Sequence, residues 1–144
     1  MREPPVAGRD DDASALVRLP LQASEDVVRM RQLVRERAVA LGFGIVDQTK
    51  LVTAASELAR NTLQHGGGGH ARIETLINGG RQGIRVTFED RGPGISDIER
   101  AMQDGYSTAG GLGLGLSGSK RLCNEFSIDS RPGQGTRISI ARWT

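Results

Sequence analysis

Glycine is the residue that most restricts how this chain can fold. The sequence holds 20 glycines in 144 residues, and 15 of them lie between Gly66 and Gly118. A collagen-like or linker structure is excluded, because the same stretch also contains periodic apolar segments. We therefore expect glycine to occur here where the backbone must come close to another group.

The remaining composition excludes several classes of protein. Lys and Arg number 19 against 17 Asp and Glu, and the chain has only 3 Phe, 1 Trp and 1 Tyr. With so little excess positive charge and stacking surface, we predict no nucleic-acid binding. The single cysteine, Cys123, permits neither an internal disulfide nor a cysteine-based zinc site and is interpreted as a packing residue. Because neither a membrane-spanning run nor a signal peptide is visible, we expect a cytoplasmic protein without membrane contact.

Apolar periodicity predicts the element order β-α-α-β-β-α-α-β-β. Strands are expected at 15–21, 71–78, 83–90, 126–131 and 136–143, and helices at 24–41, 47–65, 96–103 and within 112–126. Ser24 and Ser96 are the expected helix caps. Residues 1–13 are expected to be a disordered tail and 14–144 a single domain. Segregated helices and mostly antiparallel strands predict an α+β, two-layer sandwich.

Strand alternation places polar groups on the buried face of the sheet. Ile84, Val86 and Phe88 point inward in one strand, so Asp90 is next in phase. Ile138 and Ile140 point inward in the last strand, and Thr136 is in phase with them. Burying such groups without partners costs about 1–3 kcal/mol each. A ligand amino group would satisfy both, whereas the alternative is that Asp90 caps the turn at Gly92 and Gly94.

The second predicted helix carries Glu57 and Asn61 four residues apart, so the two side chains share a helix face. One interpretation is a solvated helix side. The other is a carboxylate base beside an amide oxygen, which is a ligand suited to Mg²⁺.

The segment 110–120 reads GGLGLGLSGSK and is typical of a phosphate cradle. Its glycines leave backbone N–H groups open just before a helix begins. Gly113, Gly115 and Gly118 formally match a dinucleotide fingerprint, but they follow a loop and lack the expected acidic partner. A P-loop is excluded, because Ser119 precedes Lys120.

These motifs, in this order, resemble the GHKL ATP-binding fold of histidine kinases, gyrase-type ATPases and anti-sigma serine kinases. The resemblance runs from about Leu16 to the C-terminus. It is carried by ELARN (57–61), DRGPGI (90–95), GGLGLGL (110–116) and GQGT (133–136). The sequence is most similar to the RsbT type of stressosome switch kinase, through the segments SELARN, EDRGPGI and DGYSTAGGLGLGLSGSKRL.

The resemblance implies ATP and Mg²⁺ as ligands and assigns a role to each matching residue. Asp90 would accept from the adenine amino group, with Thr136 assisting through water, while Gly92 and Gly94 admit the base. Asn61 would ligate Mg²⁺, and Glu57 would be the general base. The phosphates would contact Gly111, Gly113 and Gly115, under a lid that contains Ser107 and Thr108.

The resemblance further implies a protein serine/threonine kinase. It would phosphorylate a STAS-domain partner and switch partners to control a PP2C-type stress-response phosphatase. An alternative is an anti-sigma factor that sequesters a sigma factor and phosphorylates a STAS-domain antagonist. A third is an orphan histidine-kinase ATPase core, although His65 and His70 are interpreted as turn and cap residues.

Overall fold

The computed structural model describes residues 16–103 and 115–144. The described elements follow the predicted order. They are β1 (Leu16–Leu21), α1 (Ser24–Ala40), α2 (Ile45–Gln64), β2 (Gly69–Asn78), β3 (Arg81–Asp90), α3 (Ile98–Ala101), α4 (Gly115–Arg121), β4 (Glu125–Ser130) and β5 (Thr136–Trp143). The expected tail at 1–13 lies outside the described residues.

The five strands form one sheet in the order β1-β2-β3-β5-β4, and every neighbouring pair is antiparallel. Strand β1 is an edge strand, which suits Pro20 because this residue has no N–H to donate to a further strand. Gly79 and Gly80 both adopt positive φ in the tight β2–β3 turn, as a two-residue hairpin of matching twist requires. The predicted α+β class is confirmed.

The core lies between one face of the sheet and helices α1 and α2. Its largest fully buried apolar side chains come from both layers: Leu21, Met30, Leu51, Leu58, Ile73, Ile84, Phe88 and Ile140. Each stabilises the fold by about 1.5–3 kcal/mol relative to an exposed side chain. None of the described helices is long and apolar enough to cross a bilayer.

Helix α1 shows why the chain turns sharply between the two long helices. Its buried stripe has helical spacing and comprises Val27, Met30, Val34 and Ala38. The helix ends at Ala40 with Leu41 as its C-cap, and the following Gly42 has a φ of +86°, which only glycine adopts easily. The next N–H, of Phe43, donates to the Ala38 carbonyl at 2.9 Å, and the Phe43 ring is buried. This end motif directs the chain into α2.

The predicted cap at Ser24 is wrong by one position. Ala23 is the N-cap, and Ser24 is already helical. The Asp26 carboxylate instead accepts the N–H groups of Gln22 and Ala23 at 2.8 and 3.1 Å. The hydrogen bond from Gln22 lowers the pKa of Asp26, since it favours the charged carboxylate. Reaching back with Asp26 satisfies donors that a serine cap would have left unpaired.

The helix predicted at 96–103 is shorter, and its cap is also displaced. Helix α3 covers only Ile98–Ala101, and Asp97 rather than Ser96 is its N-cap. The Asp97 Oδ1 atom accepts the Arg100 N–H at 3.0 Å. Ser96 is left free to line the cavity described below.

Two large apolar residues lie away from the core. Alternation from Ile73 predicts that Ile77 also faces the core, but Ile77 is 75% exposed, because the tip of the β2–β3 hairpin extends beyond the helices. The place of Trp143 near the end of the last strand predicts that it covers the edge of the core. It lies against Gly83, with the Arg81 guanidinium 5.6 Å from its ring centre. Alternation from Ile138 and Ile140 puts Trp143 on the face opposite the helices.

Candidate nucleotide-binding site

A cavity of about 400 Å³ lies where the C-terminal part of α2 meets the end of β3 and the start of β5. Its lining includes most of the described residues to which the sequence assigned a role: Glu57, Asn61, Asp90, Gly94, Gly115 and Thr136. The apolar floor includes Leu58, Phe88 and Ile138. This size and mixture of an apolar floor with a few polar groups are typical of a small-molecule site.

Glu57 and Asn61 reach the cavity from one face of α2. Glu57 is only 4% exposed, so the solvated-helix interpretation is wrong for this residue. Its Oε1 atom accepts from Arg60 Nη2 at 3.2 Å, and this cation offsets the cost of the buried charge. Asn61 is half-buried and also lines the cavity.

Asp90 ends β3 on the buried face, as alternation predicts. It lines the cavity, and its Oδ1 atom accepts the Gly92 N–H at 2.9 Å. The two interpretations of Asp90 are therefore compatible, because one oxygen stabilises the turn. The other oxygen, Oδ2, has no protein hydrogen-bond partner within the described part of the chain.

Thr136 stands directly opposite Asp90 in the β3–β5 register. Paired residues of antiparallel strands share a face, so both side chains project from the same side of the sheet. Thr136 is half-buried, lines the same cavity, and has its Oγ1 atom 2.8 Å from Ser130 Oγ. Asp90 and Thr136 thus line the cavity from two neighbouring strands.

The turn after β3 packs against the turn between β4 and β5. Gly94 has a φ of +76°, and a Cβ there would overlap the Arg131 carbonyl. The Gly133 N–H donates to the Pro93 carbonyl at 2.7 Å. Gly94 lines the cavity, whereas Gly92, whose N–H donates to Asp90, is not one of its lining residues. Glycine is needed here for close packing of backbone on backbone.

Gly66 is a residue that the sequence reasoning missed. A Cβ atom on Gly66 would overlap the Asp90 carboxylate, and one on Gly92 would lie 2.7 Å from the Gly66 Cα. The turn after α2 therefore packs closely against the end of β3 at Gly66. The signal in the sequence is the run of four glycines at 66–69, which directly follows the helix predicted at 47–65.

The two histidines have different environments. His65 is the C-cap of α2 and lines the cavity, so the interpretation as a cap is confirmed. His70 lies in β2 rather than in a turn, and its Nε2 atom is 2.9 Å from Glu89 Oε1.

Gly115 begins α4 with a φ of +60° and lines the cavity. It is the described member of the predicted phosphate-binding set. Ser107, Thr108, Gly111 and Gly113 lie outside the described residues. Gly115 therefore joins Asn61 and Asp90 at one cavity.

The donor set suits a nucleotide carried with a hard cation. The described residues contain no cluster of three His, Cys, Asp or Glu side chains that would hold a metal by themselves. Mg²⁺ is usually held by one or two protein oxygens together with substrate phosphates. The Asn61 amide, beside the buried Glu57 carboxylate, fits that pattern.

Comparison with known proteins also indicates an ATPase domain. Residues 46–143 match the family described as histidine kinase-, DNA gyrase B- and HSP90-like ATPase. Serine/threonine-protein kinase RsbT of Bacillus subtilis is 51% identical over 118 residues, which are 82% of this chain and 89% of that protein. Anti-sigma F factor of Thermoanaerobacter sp. (strain X514) is 30% identical over 129 residues, 85% of this chain and 89% of that protein.

A solved structure shares the fold. The structure of the RsbU and RsbW domains of a Mycobacterium tuberculosis protein aligns with a TM-score of 0.60 at 20% identity. The alignment covers 88% of this chain and 32% of that longer one. Because the family match covers more than half of the sequence and contains the cavity residues, the chain belongs to the histidine kinase-, DNA gyrase B- and HSP90-like ATPase family.

Proposed function

We propose that this chain is a protein serine/threonine kinase of the RsbT type, which transfers the γ-phosphoryl group of ATP to a hydroxyl of a partner protein. The observation that carries the proposal is the convergence of Glu57, Asn61, Asp90, Thr136 and Gly115 on one cavity. The 51% identity to RsbT supports a serine/threonine acceptor.

Each group has a role that its position supports. Asp90, at the apolar floor with Phe88, would accept from the adenine amino group, and Thr136 would assist through a water molecule. Gly94 leaves room for the base. Asn61 would hold Mg²⁺ through its amide oxygen, together with the phosphates.

Glu57 is placed to act as general base. Its carboxylate would accept the proton of the acceptor hydroxyl as the hydroxyl oxygen bonds to the γ-phosphorus and the bond to ADP breaks. Gly115, with Gly111 and Gly113, would contact the phosphates, under a lid containing Ser107 and Thr108. Positioning and charge neutralisation supply most of the catalysis in phosphoryl transfer.

We further propose that the acceptor lies on a STAS-domain protein in the cytoplasm and that this kinase switches from it to a PP2C-type phosphatase. The test incubates the purified chain and a STAS-domain protein with Mg-ATP. The expected product is acid-stable phosphoserine or phosphothreonine. Asn61→Ala should abolish it, whereas Gln64→Ala should not, because Gln64 is an exposed amide on the same helix.

Two other outcomes would contradict the proposal. An acid-labile phosphoproduct would indicate a histidine kinase core. Binding of a sigma factor that blocks transcription, without phosphoryl transfer, would favour an anti-sigma factor. The second candidate is kept because the Thermoanaerobacter anti-sigma F factor is 30% identical, although the identity to RsbT is much higher.

A further inference from the structure

Ser130 lies beside the nucleotide cavity without lining it, and the family resemblance assigned it no role. It ends β4 and pairs with Thr136, which in turn pairs with Asp90. Three polar side chains therefore form one row across β3, β5 and β4. Phe126 and Ile128 pack against the core, so Ser130 is in phase with the buried face of its strand.

The Ser130 hydroxyl makes three contacts at the junction of two turns. It accepts the Ile95 N–H at 2.8 Å, from the turn that follows Asp90. It donates to the Gly135 carbonyl at 3.1 Å, in the turn that precedes Thr136. Its oxygen is also 2.8 Å from Thr136 Oγ1. One hydroxyl thus connects both turns and restrains the rotation of the Thr136 side chain.

We propose that Ser130 is a positioning residue for nucleotide binding, which acts by holding the Thr136 hydroxyl toward the base. This inference rests on the proposed function, because it assumes that Thr136 faces the adenine. A hydroxyl that is free to rotate would spend part of its time directed away from the cavity. Binding would then carry the cost of ordering it.

The test measures Mg-ATP affinity by calorimetry for the wild-type chain, Ser130→Ala, Thr136→Val and the double variant. Removing one organising hydroxyl should weaken binding roughly tenfold. Because Ser130 acts through Thr136, Ser130→Ala should cause less than a further twofold loss in the Thr136→Val background. Ser130→Thr keeps the hydroxyl and should bind within threefold of the wild type.

Ser127→Ala is the matched control, since Ser127 is an exposed serine on the same strand. It should leave the affinity unchanged, and thermal unfolding confirms that each variant is folded. A tenfold loss from Ser130→Ala in both backgrounds would reduce Ser130 to a structural role, as would failure of Ser130→Thr to restore binding. Unchanged affinity in folded Ser130→Ala would also overturn the inference.

Different results would overturn the proposed function and the role of Ser130. If the wild-type chain shows no heat with Mg-ATP, the proposed function and this inference both fall. If the wild type binds ATP and the two substitutions prove additive, only the role of Ser130 is overturned.

Discussion

Replacing Gly66 with alanine tests whether Asp90 is held in the cavity by the close approach of the α2 end. The new Cβ would overlap the Asp90 carboxylate, and the Gly66 backbone lies so close to Gly92 that a Cβ on Gly92 would be 2.7 Å from the Gly66 Cα. Little room is left for the Gly66 backbone to move. The carboxylate must therefore rotate out of its position, and the ends of α2 and β3 must also separate, because the new Cβ would lie 2.5 Å from the Asp90 Cβ.

The expected loss follows from these two responses. Forcing extra volume into packed structure costs about 1–3 kcal/mol. Losing a hydrogen bond to a charged group costs about 1.5–3 kcal/mol, which corresponds to roughly tenfold to hundredfold weaker binding. Calorimetry measures the affinity for Mg-ATP of Gly66→Ala, Asp90→Asn and the double variant. Because Gly66→Ala acts through Asp90, the double variant should bind no more weakly than Asp90→Asn.

Gly44→Ala is the control for a glycine-to-alanine change. Gly44 is the N-cap of α2, has a φ of −69°, and a Cβ there would meet no atom within 4 Å. It should bind Mg-ATP normally and lose about 0.5–1 kcal/mol of folding stability, because glycine is clearly preferred over alanine at an N-cap. The reasoning is refuted if Gly66→Ala binds like the wild type, or if its loss adds fully to that of Asp90→Asn.

Two further predictions concern the region near the C-terminal end of β5. Burial raises the pKa of the Cys123 thiol to about 11, so iodoacetamide at pH 8 should label the folded chain far more slowly than the urea-unfolded chain. Because that pKa lies above the unfolded value of 9.0, the free energy of unfolding should fall as the pH rises from 9 toward 11. Cys123→Ala should lose less stability over that range, and equal losses in the two chains would contradict this. Arg142 Nη2 donates to Asp47 Oδ1 at 2.6 Å, and Arg142 Nη1 donates to the Leu122 carbonyl at 2.8 Å. Arg142→Met should lower the urea-unfolding free energy by about 1–2 kcal/mol, since Asp47 is 40% exposed and stays hydrated; an unchanged unfolding midpoint would show that the ion pair adds nothing.

Much of the cavity was predictable because its residues obey local periodicity. Alternation put Asp90 and Thr136 on the buried faces of β3 and β5, and helical spacing put Glu57 and Asn61 on one face of α2. Ser130 obeys the same alternation after Phe126 and Ile128, so its orientation was open to prediction. Its three hydrogen-bond partners were not, because they come from turns brought together only by the order of the strands.

The sequence by itself determined the succession of helices and strands and the face of the sheet on which Asp90 and Thr136 lie. Those properties follow from backbone geometry within a few residues. Only the tertiary structure decided that Asp90, Thr136 and Ser130 form one row, that Gly66 touches Asp90, and that Ile77 remains exposed. Such contacts depend on strand register and on how far each hairpin extends past the helices, and both are set by pairing between segments distant in the chain.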